Sequence, residues 1–144
     1  LGAHDVIDHR GVGDLVKEVR GLTDGRGVDV AYDPVGGDMF QQVRRCMAWD
    51  GRLLVIGFVA GIPEIATNHV LLKNYSVVGV HWGASLGRDP SSLGRQMAEV
   101  MALAEKGVVD PLLHPPYPFD EAAQALQDIA DRKVVGKVVV DRTA

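Results

Sequence analysis

Short apolar blocks alternate with stretches of helical periodicity along most of the chain. Residues 6–8, "VID", are a strand candidate, and Leu15, Val16, Val19 and Leu22 then fall on one face of a helix running from Asp14. "TDGRG" supplies a stop and a turn. Residues 28–35, "VDVAYDPV", predict a strand, and residues 39–49 a helix that buries Phe40, Val43 and Met47 with Cys46 beside them. Residues 51–58, "GRLLVIGF", form a nearly continuous apolar run, which predicts a strand covered on both faces in a parallel sheet. Strand and helix alternating in this way are the grammar of an α/β fold.

Past residue 60 the pattern loosens into a loop with one short apolar turn at residues 69–72. Residues 75–83, "YSVVGVHWG", predict another strand, and a long helix opens near Pro90 and closes at Gly107. Four of the seven prolines then lie within residues 111–118, which forbids a helix and predicts an irregular or edge segment. Asp120 is positioned to cap the next helix, "EAAQALQDIADRK", and residues 136–141, "GKVVVD", predict a closing strand.

Two glycine pairs invite a phosphate-binding interpretation. The fingerprint G-x-G-x-x-G needs a third glycine for close helix–strand packing and a free helix N-terminus for the pyrophosphate. After Gly11 and Gly13 the third glycine is Val16, and Asp14 places a carboxylate where the anion would arrive, so this is a capped helix after a turn. Gly25, Gly27 and Val30 fail because a strand follows them.

Composition narrows the function. At 144 residues the chain has the length of one domain, and 47% apolar with 24% charged residues is globular. A net charge of −4 without a basic cluster gives no reason to expect nucleic acid, and the apolar runs are too short for a membrane span. The single Cys46 excludes an internal disulfide and a cysteine-based zinc site and suits a reducing cytoplasm, where the protein is expected. The opening "LGAHDV" has neither the Met of a translation start nor the features of a signal peptide, as in a chain entered partway.

The blocks "LGAHDVID", "TDGRGVDVAYDPVGGDMF", "GRLLVIGFVAG", "LLKNYSVVGVHWG" and "GKVVV" resemble, in this order and spacing, the medium-chain dehydrogenase/reductase superfamily and its zinc-independent quinone oxidoreductase branch. The resemblance implies a Rossmann-type doubly wound parallel sheet of order 3-2-1-4-5-6, of which this chain carries strands three to six and lacks the first two. Residues 1–107 would be the C-terminal part of the dinucleotide-binding domain, and residues 108–144 would return to a substrate domain. The family's glycine fingerprint would precede Leu1, and isolated binding of NADPH is expected to be weak.

What the resemblance implies about the site follows strand ends. Val35 and Gly36, after the second predicted strand, would lie near the adenosine half of NADPH, or NADH, unless they are only a turn before a helix capped by Asp38. Gly57, Phe58 and Val59 would meet the nicotinamide half, with Phe58 near the ring or else in the core. Lys137 would sit where the chain returns to the cleft, or be a solvated strand residue. The five histidines share no metal-like spacing, so no metal is expected, and Asp5, Asp8, Asp29 and Asp33 sit at strand or turn ends where Asp is common. No catalytic acid or base is assigned, which fits a reaction whose chemistry the cofactor carries.

The expected activity is hydride transfer from NAD(P)H to a small-molecule quinone or activated enone. Alternatives are an enoyl reductase, a zinc alcohol dehydrogenase of the same superfamily, and a non-catalytic domain active only in self-association. The resemblance also implies a homodimer through residues 77–80, from Val77 to Val80, at the sheet's outer edge. Residues 28–32 would expose a second edge with no Lys and no bulge to protect it.

Overall fold

The computed structural model describes residues 2–143, which pack as two compact units, one of Ala3–Arg88 and one of the residues from Asp89 on. The division between the two units falls at Arg88.

In the first unit α1 (Leu15–Leu22) starts where its cap dictates, the Lys17 amide donating to the Asp14 carboxylate at 3.1 Å. There follow β1 (Val28–Asp33), α2 (Gly37–Cys46), β2 (Met47–Val55), α3 (Thr67–Lys73), β3 (Ser76–Gly79) and α4 (Trp82–Arg88). The three strands form one sheet in the order β1-β2-β3, parallel throughout, with Leu53 opposite both Ala31 and Val77. The chain is therefore α/β with a parallel sheet, as the alternation of strand and helix requires. Phe40 from α2, Met47 and Leu53 from β2, and Tyr75 make the buried core, and Ala31, Val43, Val55 and Val70 pack against it. Leu53 is fully buried, worth about 1.5–3 kcal/mol relative to exposure.

Several expectations are corrected. Residues 6–8 form no strand, and Val6 is exposed, because no other strand among the described residues lies beside them to complete a ladder. The sheet thus has three strands in place of four. The helix expected to reach residue 49 ends at Cys46, and Met47 starts β2 opposite Val28. Helical spacing from Phe40 and Val43 still sends Met47 into the core, so its burial was right and its backbone wrong. Gly27 explains the close approach there, since a Cβ on it would clash with the Cys46 carbonyl oxygen.

β2 is not covered on both faces. α2 and α3 pack on the face that Leu53 presents, while Val30 and Tyr32, two residues apart in β1, stay exposed. The β1–β2 pairing is also irregular between Val28 and Val30, where β2 runs from Met47 to Arg52 through Asp50 at φ +60°. The strand expected over residues 75–83 stops at Gly79, and α4 takes over at Trp82.

In the second unit α5 (Ser91–Glu105) follows Pro90 and ends before Gly107, as expected. After the proline-rich stretch come β4 (Tyr117–Pro118), a 3₁₀ turn (Phe119–Glu121), α6 (Ala122–Ala130) and β5 (Val140–Asp141). β4 and β5 pair in parallel, with a further bridge between Leu113 and Lys137. The expected strand at residues 136–141 shrinks to β5 and that bridge, because Pro115, Pro116 and Pro118 opposite it have no N–H to donate. Asp120 lies inside the 3₁₀ turn, and Glu121 occupies the α6 cap position without a side-chain bond. Tyr117 Oη donates to Asp128 at 3.0 Å and fastens β4 to α6, whose Ala125 is buried.

Candidate functional site

The parallel strands β1, β2 and β3 all end on one side of the sheet, at Asp33, Val55 and Gly79. In open α/β sheets that side carries the ligand. The loops after β1 and β2 are tied together by backbone bonds. The Ile56 amide donates to Asp33 O at 2.9 Å, Ala60 to Val35 O at 2.8 Å and Gly37 to Gly61 O at 2.9 Å. Gly36 sits at the tightest point with φ +71°, and a Cβ there would lie 2.6 Å from Gly61 O and 2.9 Å from Phe58 Cβ. Only glycine meets both demands.

Asp33 organises the first of these loops. It is buried at 3% exposure, its Oδ1 accepts from the amides of Val35 at 2.8 Å and Gly36 at 3.1 Å, and its Oδ2 has no partner among the described residues. The carboxylate lies just before α2, where the helix dipole favours negative charge. Asp38, expected to cap this helix, lies in its first turn and makes no capping bond; Gly36 is the cap residue.

Beside the second loop lies a cavity of about 410 Å³, lined by Val55, Ile56, Gly57 and Phe58 from β2 and its loop and by Gly79, Val80 and His81 from the end of β3. Of the site residues expected from the sequence, Gly57 and Phe58 line it, and Phe58 is half exposed rather than in the core. Val59 is exposed on the same loop outside the lining, while Val35 accepts a bond from Ala60 of that loop and Gly36 packs against its Gly61 and Phe58. Lys137 belongs to the other unit, where its amide donates to Leu112 O at 2.8 Å and its carbonyl accepts from His114 at 2.9 Å. Gly79, Val80 and His81 were not expected in the site, because the sequence reading placed them within an outer strand over residues 75–83; the signal was the glycine at 79, the last residue of β3.

The remaining candidates are committed elsewhere. His69 Nδ1 lies 3.2 Å from Tyr75 Oη, and burial pushes its ring below the ordinary histidine value, assisted by the Arg44 charge. His114 stacks on Tyr117 with ring centres 5.3 Å apart. Cys46 is buried with Sγ 3.4 Å from Gln42 O, and burial pushes its thiol upward, which leaves little thiolate for nucleophilic work. Among the described residues no group of three or more His, Cys, Asp or Glu is placed to hold a metal, and no helix is long and apolar enough to cross a membrane. The N-terminus of α1, already holding the Asp14 carboxylate, offers no seat for a phosphate.

A parallel sheet with its cleft at the carboxyl ends of the strands defines a Rossmann-type domain. The profile of the zinc-binding dehydrogenase family matches residues 1–140, so the chain belongs to that family, within the medium-chain dehydrogenases and their quinone oxidoreductase-like branch. It is 38% identical, over 98% of its length, to a quinone oxidoreductase-like protein 2 homolog of Nematostella vectensis, and 34% identical over 89% to quinone oxidoreductase-like protein 2 of Mus musculus. It spans 39% and 37% of those proteins. A probable oxidoreductase from Mycobacterium abscessus superposes with a TM-score of 0.77 at 35% identity, covering 96% of this chain and 40% of that one. The Pseudomonas syringae quinone oxidoreductase shares the fold, with a TM-score of 0.80 at 24% identity, covering 97% and 43%.

Proposed function

We propose that this chain supplies the nicotinamide-facing part of an NAD(P)H-dependent oxidoreductase that reduces a quinone or an activated enone by hydride transfer. The observation that carries the proposal is the cavity between the β2 loop and the end of β3, at the carboxyl edge of the sheet. Its residues fit a nicotinamide ring. Val55, Ile56, Phe58 and Val80 give an apolar slot, and His81 is the one titratable side chain in the lining. Gly57 lets the loop pack on Pro34, whose carbonyl oxygen a Cβ would approach to 3.1 Å, and the backbone bonds from Ile56 to Asp33, from Ala60 to Val35 and from Gly37 to Gly61 fix the loop that carries Phe58. When bound, the reduced cofactor supplies the hydride. The chain's own contribution is to orient the ring with Phe58 and Val80, to keep water out with apolar walls, and to hold the loop still.

Orientation is where a substitution shows. In the catalytically competent protein Phe58→Ala is expected to slow the hydride step roughly 10²-fold, since a misplacement of about 1 Å is enough for that, while cofactor affinity changes little. Single-turnover kinetics of reduced-cofactor oxidation with a quinone acceptor measure the step. An unchanged hydride rate removes Phe58 from the site, and no cofactor oxidation by the unsubstituted protein with either NADPH or NADH removes the proposed reaction.

A further inference from the structure

His81 does not only close the apolar cavity. It also lines a second cavity of about 280 Å³ together with Ala84, Ser85 and Arg88 along α4. The two cavities therefore meet at one residue, His81, with apolar lining on one side and Arg88 on the other. Neither the His81 ring nor the Arg88 guanidinium makes a hydrogen bond or ion pair with another described residue. The neighbouring groups do not compete for Arg88. Ser85 Oγ donates to Trp82 O, and the Asp89 carboxylate is taken by Arg95 at 2.6 Å and by Ser91. Two turns of α4, about 10 Å of rise, separate the two backbone positions, and a long helical side chain leans toward the helix N-terminus, toward His81.

Resting on the reading of the first cavity as the nicotinamide slot, we propose that the His81–Arg88 groove is the acceptor subsite and that it selects a carbonyl compound bearing an anionic substituent. The imidazole N–H donates to the carbonyl oxygen, and the guanidinium pairs with the anion. Ala84 gives the planar body of the acceptor an apolar surface between them. Such pairing is charge-assisted and directional, so the anion fixes which carbonyl faces the slot. A neutral acceptor lacks that second anchor.

The test uses the chain without any nucleotide, so that its outcome does not depend on cofactor binding. Anthraquinone-2-sulfonate, which has the carbonyls and the anion, is titrated while amide and side-chain resonances are followed by NMR. Saturable shifts are expected at His81, Ala84, Ser85 and Arg88. R88Q is expected to weaken binding about tenfold and H81F about fivefold, as loss of a charged and a neutral donor predicts. Naphthalene-2-sulfonate, with the anion but no carbonyl, should keep the dependence on Arg88 and lose that on His81. Both side chains are exposed, and unchanged spectra away from α4 verify that the variants fold. Shifts mapping elsewhere, or affinity unchanged in both variants, overturn the proposal, whereas failure of NADPH to bind in a separate titration bears only on the nicotinamide slot.

Discussion

Single residues decide whether the two loops at the sheet's carboxyl edge can lie against each other. Gly36 combines a left-handed φ with contact on Gly61 and Phe58, so Gly36→Ala is expected to destabilise the first unit by at least about 1–3 kcal/mol from backbone strain alone. Chemical denaturation measures this, and amide exchange should show the loss concentrated at residues 33–37 and 57–61. The loop glycines were legible because the resemblance placed them after strands. Asp33 was not, because an Asp at a strand end is ordinary until its burial and its two accepted amide bonds are seen. His69 gives a pH signature. Burial holds its folded value below the ordinary 6.5, so the unfolded chain binds the proton more readily. Its contribution is thus fully present above pH 6.5 and is lost as pH falls toward the lowered folded value. Melting temperatures should decline on acidification through that window, and His69→Gln should flatten the decline. A decline identical in the variant assigns the effect elsewhere.

Elements were legible where local pattern and tertiary demand agree. The Asp14 cap, the apolar face of α1, and the β1–α2–β2 alternation all announce themselves within a few residues. Where pairing decides, the sequence misled: residues 6–8 have strand character without a partner, and Met47 exchanges helix for strand because Val28 lies opposite it. α4 was hidden because "WGASLG" has two glycines and weak helical propensity. β3 is an end strand, and Val77, Val78 and Val80 are each more than a third exposed, so its outer edge is open to pairing with a second copy across a two-fold axis. Light scattering at about 10 µM should report a homodimer, and Val78→Lys should dissociate it by setting like charges across the axis. A strict monomer with fast amide exchange through residues 77–80 would refute this edge as the interface.

In the whole molecule, the proposed function requires the loops after β1 and β2 and the end of β3 to form the nicotinamide side of a dinucleotide site. The phosphate-binding turn is not among the described residues, since both glycine near-matches are a capped helix and a turn before a strand. Affinity is therefore expected to be weaker than about micromolar, with ring contacts acting without a phosphate anchor. The most direct measurement is an NMR titration of the chain with NADPH, with NADH in parallel. Weak, saturable shifts are expected to concentrate at Gly57, Phe58, Gly79, Val80 and His81, together with contacts between the nicotinamide ring protons and the side chains of Phe58 and Val80. Shifts centred on the α1 N-terminus, or none at those five residues at millimolar nucleotide, would contradict it.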